Sequence, residues 1–405
     1  MIHSRTLRQI GTSRLFVSLA MILLQVSCLE AQPEEYNHPE LLWMVHETAH
    51  FRIFYHDGAE RTARELAVIA EEIYDPITSL YDYQPDNKTS VIVRDHDDYS
   101  NGGAYYYDNK IVIWATALDF ALRGTHHWLR NVMTHEFTHL IQLGASRKGP
   151  RWLPAFYLQW IDYEKEKRPD VLYGYPNILA SYPLPLTVIP PWFAEGTSQT
   201  QRPNLGYEHW DSHRDMLLRM RVLEGKLLSY TEMGYYGKTS LDAESVYNQG
   251  FSLVQYIIQH WGTNALQDLS HEMRSPLAWS FEYALKRRLQ ISGNELYTRW
   301  ADNLRKEYGQ RTERIRRNPV SGEIIQEEGF ANLHPRWSPD GGSIAYISNP
   351  GADYFFLSGL YRYDIREKTH KRLTDGVSSQ LAWSPDGRFI FFHKQFNPDR
   401  KRSRY

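Results

Sequence analysis

The chain has 405 residues, 42% of them hydrophobic, enough apolar material for two or three structural units, which argues against a disordered chain. Lys and Arg number 46 against 48 Asp and Glu, so no one-signed field marks nucleic acid or anionic lipid as the main partner. Cys28 is the only cysteine, which excludes an internal disulfide framework.

At the N-terminus, Arg5, Arg8 and Arg14 precede the run LFVSLAMILL, which is short for a transmembrane span and leads into small and polar residues. This is the pattern of a Sec-type signal peptide over residues 1–31, with cleavage after Ala31 in CLEAQ. Lipid attachment at Cys28 is the alternative, although Gln25 stands where a lipobox carries an aliphatic residue. An uncleaved anchor helix is a third reading, disfavoured by the shortness of the apolar run. Cleavage leaves no cysteine, so any metal must be held by His, Asp or Glu.

Residues Glu47 to Tyr55 alternate like a strand. Leu66, Ala70, Ile73, Ile77 and Leu80 then recur at helical steps, with Pro76 expected to kink or divide the helix. TSVIVRD and NKIVIWA read as strands, the second preceded by the turn-rich YSNGGAYYYDNK. From about Gly124 to Gly309 the pattern is mostly helical, interrupted by the proline-bearing stretch Tyr173 to Trp192. Asp95, Asp97 and Asp98 lack the spacing of a calcium loop and read as a solvated turn. His126 and His127 read as surface or cap positions, and Asn87-Lys88-Thr89 is a weak glycosylation match. No P-loop, dinucleotide turn or nucleophile elbow occurs.

NVMTHEFTHL, Asn131 to Leu140, carries the most chemistry. On a helix from about Trp128 to Leu143, His135 and His139 fall about 40° apart, so both imidazoles reach one point. Leu129, Met133, Phe137 and Leu140 turn to the other side, and Glu136 flanks the histidines, where its carboxylate can take a proton from an activated water. In a chain with 17 histidines the motif also arises by chance. A zinc site needs a third protein ligand, and Glu195 in PPWFAEGTSQ is either that ligand or an ordinary glutamate near a helix start. Tyr247, in SVYNQGFSLVQYIIQHWG, reads by itself as a core aromatic on the side shared by Gly250, Phe251, Val254, Ile258 and Trp261.

HEFTH, WFAEG and a Tyr-Asn-Gln-Gly that opens a helix, in this order, resemble the gluzincin metallopeptidases of the alanyl-aminopeptidase type, over roughly Tyr36 to Tyr308. The resemblance implies an α+β, thermolysin-like zincin fold with a small sheet part and a helical part. It also implies one Zn2+ held by His135, His139 and Glu195, with Glu136 as general base and Tyr247 stabilising the oxyanion. Three departures stand out. The 55 residues between His139 and Glu195 exceed the family's short spacer; Gln199 replaces the Asp of thermolysin-like relatives, leaving the histidines' supporting partner open; and NGGAYYYDN lacks the glutamate that binds a free amine. The last departure favours endopeptidase over aminopeptidase action on a peptide or protein substrate.

Beyond Pro319 the pentapeptide WSPDG starts at Trp337 and again at Trp383, a period of 46 residues, and GLYRYDIREKTHKRLTDG between them supplies two more strand-like runs. Turn plus strand at this interval is what a β-propeller blade needs. The repeats resemble TolB-type propellers, which implies a periplasmic or cell-surface setting in bacteria and an envelope protein as a possible partner. Only about one and a half blades fit, against about four to eight in a closed propeller, so the chain reads as the front part of a longer protein or a truncated product. The expected organisation is a signal peptide (1–31), the sheet part (32–125) and helical part (126–318) of the peptidase domain, and an incomplete all-β propeller segment (319–405). Two other functions fit these residues: an inactive peptidase-like binding or assembly protein that works through its propeller, and a zinc hydrolase acting on a non-peptide bond.

Overall fold

The computed structural model describes residues 38, 40–96, 100–117, 123, 127–149, 156–163, 176–184, 189–200, 210–237, 239–329, 331–352, 357–377 and 379–394. Residues 1–31, expected to be a signal peptide and including Cys28 and Ala31, together with Asp97, Asp98, His126 and the basic end from Asp399, lie outside them. The chain divides into a short unit, Met1–Trp43, and a second, Met44–Tyr405. In the first, the Trp43 indole donates to the His38 carbonyl at 3.3 Å. Among the described residues no helix is long and apolar enough to cross a membrane.

The alternating stretch around Glu47 is two strands, β1 (Trp43–Glu47) and β2 (Phe51–His56), rather than one. The break is a tight turn in which Thr48 N donates to the Phe51 carbonyl at 3.0 Å. Helix α1 (Glu60–Tyr81) follows, and the five residues at helical steps are all buried. Of the two expected outcomes, a kink or a division, the division does not occur: Pro76 lies inside one continuous α1. A proline removes one hydrogen bond from the helix, and here the apolar face on either side stays packed in one core.

Strands β3 (Thr89–Arg94), β4 (Gly102–Tyr105) and β5 (Lys110–Trp114) complete a five-stranded sheet in the order β1-β2-β3-β5-β4. β2, β3 and β5 run parallel, and β4 returns antiparallel along β5 as an edge strand. Phe51, Ile53, Val91, Val93, Ile111 and Ile113 join the buried face of α1 in one core.

The following region holds α2 (Trp128–Ala145), α3 (Pro191–Gln199), α4 (Ser212–Leu223), α5 (Ser240–Trp261), α6 (Asn264–Glu272) and α7 (Gly293–Arg317). The proline-bearing interruption is not structureless. β6 (Phe156–Tyr163) and β7 (Pro176–Leu184) form an antiparallel ribbon, paired from Phe156↔Leu184 to Tyr163↔Pro176. A two-stranded ribbon leaves half of each strand's N–H groups unpaired, and at such positions a proline removes no ladder bond.

Next, β8 (Asn332–Trp337), β9 (Ser343–Ser348), β10 (Gly359–Asp364) and β11 (Thr369–Asp375) form a four-stranded antiparallel meander, and β12 (Leu381–Trp383) pairs with β13 (Ile390–Phe392). All six residues of β9 are buried. Ala345 and Ile347 pack with Leu360, Val377 and Leu381, while Ile344 and Tyr346 pack with Tyr363.

The two WSPDG turns carry the same hydrogen bonds. Ser338 Oγ donates to Asp340 at 2.6 Å and accepts from Ser343 N at 2.9 Å; Ser384 Oγ donates to Asp386 at 2.6 Å and accepts from Phe389 N at 2.9 Å. Gly341 and Gly387 take φ of 71° and 70°, the left-handed region that an unbranched glycine enters without strain. Taken together the architecture is α+β, with no closed barrel among the described residues.

Candidate metal centre

Helix α2 sets its two histidines in place by burial on almost every side. Met133, Phe137 and Ile141 are fully buried, and Thr134 and Thr138 return their hydroxyls to the carbonyls of Arg130 and Thr134. His127 occupies the N-cap position of α2, but its ring makes no capping bond. His135 and His139 are each only 9% exposed.

Helix α3 starts Pro190-Pro191, and a proline at its first position has the helical φ already set. Trp192 and Phe193 anchor it in the core, and Glu195 is 5% exposed. The glycine after Glu195 has a steric purpose: a Cβ on Gly196 would lie 2.4 Å from the Gly250 carbonyl oxygen, and one on Gly250 would lie 2.4 Å from that of Trp192. Two glycines thus let α3 and α5 cross in backbone contact. Tyr247 lies well inside α5 and does not open it, because Thr239 caps the helix eight residues earlier and accepts from Asp242 N at 3.1 Å.

The three expected metal ligands meet. His135 Nε2 and His139 Nε2 stand 3.0 Å apart, and Glu195 Oε2 lies 3.1 Å and 3.2 Å from them. They form the only such set of three among the described residues. Ser198 Oγ donates to the Ala194 carbonyl at 2.9 Å, so its 3.0 Å contact with His139 Nδ1 is one in which the imidazole donates. When neutral, His139 therefore carries its proton on Nδ1 and turns the Nε2 lone pair toward the other two donors. That is the tautomer a metal ligand needs.

The electrostatics agree. Burial alone would raise the Glu195 carboxyl, but the His139 and His135 imidazoles hold it well below the usual carboxylate range. Burial would lower the His139 imidazole, and Glu195 outweighs it and raises it. The site favours an added positive charge, and two imidazole nitrogens with one carboxylate oxygen, and no sulfur, form a donor set that suits zinc. A His-His-Glu group of this kind can hold a metal ion.

Glu136 is buried beside the set. Burial pushes its carboxyl above the usual carboxylate range against the pull of His135 and His139, and the Ala104 N–H of edge strand β4 donates to it. The close approach of β4 depends on Gly102, where a Cβ would lie 2.8 Å from Glu136 Oε1 and 2.4 Å from Val132 Cγ2. The Tyr247 ring stacks 6.3 Å from that of His135, and Arg123, bound to Glu244 through bonds of 2.9–3.1 Å, lies 4.9 Å over the Tyr247 ring. Burial raises the Tyr247 phenol well above its usual range, with Glu195 adding to the effect and Arg123 opposing it.

Three contributors were not found from sequence. Ser198 supports His139, whereas Gln199, with its amide oriented to satisfy both neighbours, donates to the Tyr247 carbonyl and accepts from Arg214. The sequence had left the histidines' supporting partner open, and for His139 it is Ser198. Tyr236, in the loop before α5, donates its hydroxyl to Glu195 Oε1. Arg123 comes from a segment with no recognisable pattern.

No family model matches the chain, and no curated protein matches it. Among solved structures it is similar to the aminopeptidase N family protein from Idiomarina loihiensis, with 12% identity and a TM-score of 0.34, covering 87% of this chain and 69% of that one. The chemistry of the site follows from its own side chains.

Proposed function

We propose that this chain is an exported zinc metallopeptidase with a thermolysin-like zincin domain followed by TolB-type propeller repeats. The observation that carries the reading is the convergence of His135 Nε2, His139 Nε2 and Glu195 Oε2, with the His139 tautomer set by Ser198 and Glu136 alongside. These three residues would hold zinc. When bound, zinc lowers the pKa of a water and polarises a carbonyl oxygen.

The remaining steps belong to the chain's own residues. Glu136, whose proton affinity burial raises, takes a proton from the water as its oxygen attacks the peptide carbonyl carbon. Tyr247, kept protonated by burial, donates to the oxyanion of the tetrahedral adduct. Glu136 then delivers the proton to the leaving nitrogen, the C–N bond breaks, and acid and amine products separate.

β4 supports endopeptidase action. It is the sheet edge beside Glu136, where an extended peptide would pair by strand addition. No glutamate follows Ala104 to bind a free amine. Export rests on residues 1–31, and a periplasmic or cell-surface location and an envelope partner rest on the WSPDG repeats.

The test is digestion of a peptide library with blocked N-termini by wild type and by Glu136→Gln. Wild type should make internal cuts. The variant should retain about one zinc and lose about 10²–10⁴-fold in rate, as expected when a general base is removed. No cleavage by a zinc-loaded wild type refutes the peptidase reading.

A further inference from the structure

A carboxylate can bind a cation through one oxygen or two. Here the two oxygens of Glu195 are already divided: Oε2 faces both histidines, whereas Oε1 accepts the hydroxyl proton of Tyr236. We infer that Tyr236 is a positioning residue that confines Glu195 to one-oxygen ligation and so keeps a coordination position open beside Glu136. The inference rests on the metal reading above.

The loop holds Tyr236 against Glu195 from both ends. On its N-terminal side the turn Glu232–Gly234 is closed by Ser229 N donating to Glu232 at 2.8 Å. On its C-terminal side a Cβ on Gly237 would lie 2.4 Å from Asp242 Cβ, and Asp242 is itself held by Thr239 and Arg221. The residue as a whole is 48% exposed, yet its hydroxyl is buried on the carboxylate.

A phenol has one proton, and Tyr236 gives its proton to Oε1. The ring of Tyr247, the proposed oxyanion donor, lies 5.9 Å from that of Tyr236, and this proton is separate from the one Tyr247 would give. Without the Tyr236 hydroxyl, Oε1 loses its partner and turns to the cation, which fills the open position.

The test is cobalt(II) titration of the full chain, because the visible spectrum of cobalt reports coordination number without any turnover. Wild type should give the intense bands of a four-coordinate site. Tyr236→Phe should bind one cobalt but give the weak bands of a five-coordinate site, while Tyr235→Phe, on the adjacent exposed ring, should match wild type. In a Glu195→His background, where there is no second oxygen to restrain, Tyr236→Phe should leave the spectrum unchanged.

A four-coordinate spectrum from fully loaded Tyr236→Phe overturns the inference. So does a Tyr236→Phe effect of equal size in the Glu195→His background, or loss of fold in Tyr236→Phe, since either makes the hydroxyl merely structural. Wild type that binds no cobalt refutes the metal reading itself.

Discussion

Replacing Gly250 by alanine puts a methyl group 2.4 Å from the Trp192 carbonyl oxygen and 3.1 Å from its carbonyl carbon. Neither backbone atom can rotate away. Reaching an ordinary contact distance of about 3.5 Å means opening the crossing of α3 and α5 by about 1 Å. Overpacking of this kind costs about 3 kcal/mol at the upper end of its usual range. Alanine recovers about 1 kcal/mol as the better helix former, which leaves a net loss of about 2 kcal/mol and a Tm lower by about 4 °C.

Because Glu195 moves with α3, zinc affinity should fall about tenfold or more. Gly309→Ala is the internal control. It is also a helix-interior glycine, in α7, but the nearest atom to its added methyl is Arg316 Nη2 at 3.9 Å. There the propensity gain of about 0.5–1 kcal/mol should appear as a higher Tm. Thermal unfolding and zinc titration of both variants decide the matter. A Gly250→Ala chain that melts at or above wild type with unchanged affinity refutes a sterically limited crossing.

Ser198→Ala should weaken zinc binding by about 10–100-fold, because the His139 tautomer is no longer set; competition titration with a chelator measures this, and unchanged affinity removes the serine from the site. Asp215 accepts from Arg219 at 2.7 Å, Tyr308 at 3.0 Å and Arg311 at 3.0 and 3.1 Å. Burial by itself would raise this carboxyl, but the bonds from Arg311 and Tyr308 outweigh it and lower its pKa. Its stabilisation is therefore present above the unfolded carboxyl's pKa of about 4 and is lost as pH falls through the lower folded value. The Tm deficit of Asp215→Asn should be full at neutral pH and close below about pH 4; a constant deficit down to pH ~2 would exclude the charge as its cause. Ser338→Ala and Ser384→Ala should each cost about 1 kcal/mol in denaturant unfolding, and a silent Ser384→Ala would show that the second turn does not contribute to the same cooperative unit.

The parts of the site that could be read from sequence were those in which one helix fixes the geometry. His135 and His139 are four residues apart on α2, so local rules place both, whereas Glu195 was by itself equally an ordinary helix-start glutamate and became a ligand only through its order with the other two motifs. Tyr236 belongs to an irregular loop, and nothing in MGYYGKTS says which tyrosine turns inward. Ser198 was missed because the histidines' support was left open once Gln199 stood in place of an Asp, and no local pattern marks the residue three positions beyond Glu195, which on α3 faces His139. In the β6–β7 ribbon, β7 was hidden by Pro176 and Pro183, which a two-stranded pairing tolerates and a wider sheet would not. β9 showed itself through its continuous apolar run, SIAYI, which fits a strand covered on both faces.

From serine to glycine, the turn in each WSPDG closes its hydrogen bonds within itself and with the backbone just beyond, and needs no side chain from a neighbouring strand. Such a segment can be duplicated whole without a matching change elsewhere, while the strands it joins remain free to drift in sequence. Accordingly the two pentapeptides are identical, whereas the six residues that follow at matching places, SIAYIS from Ser343 and FIFFHK from Phe389, share a single isoleucine.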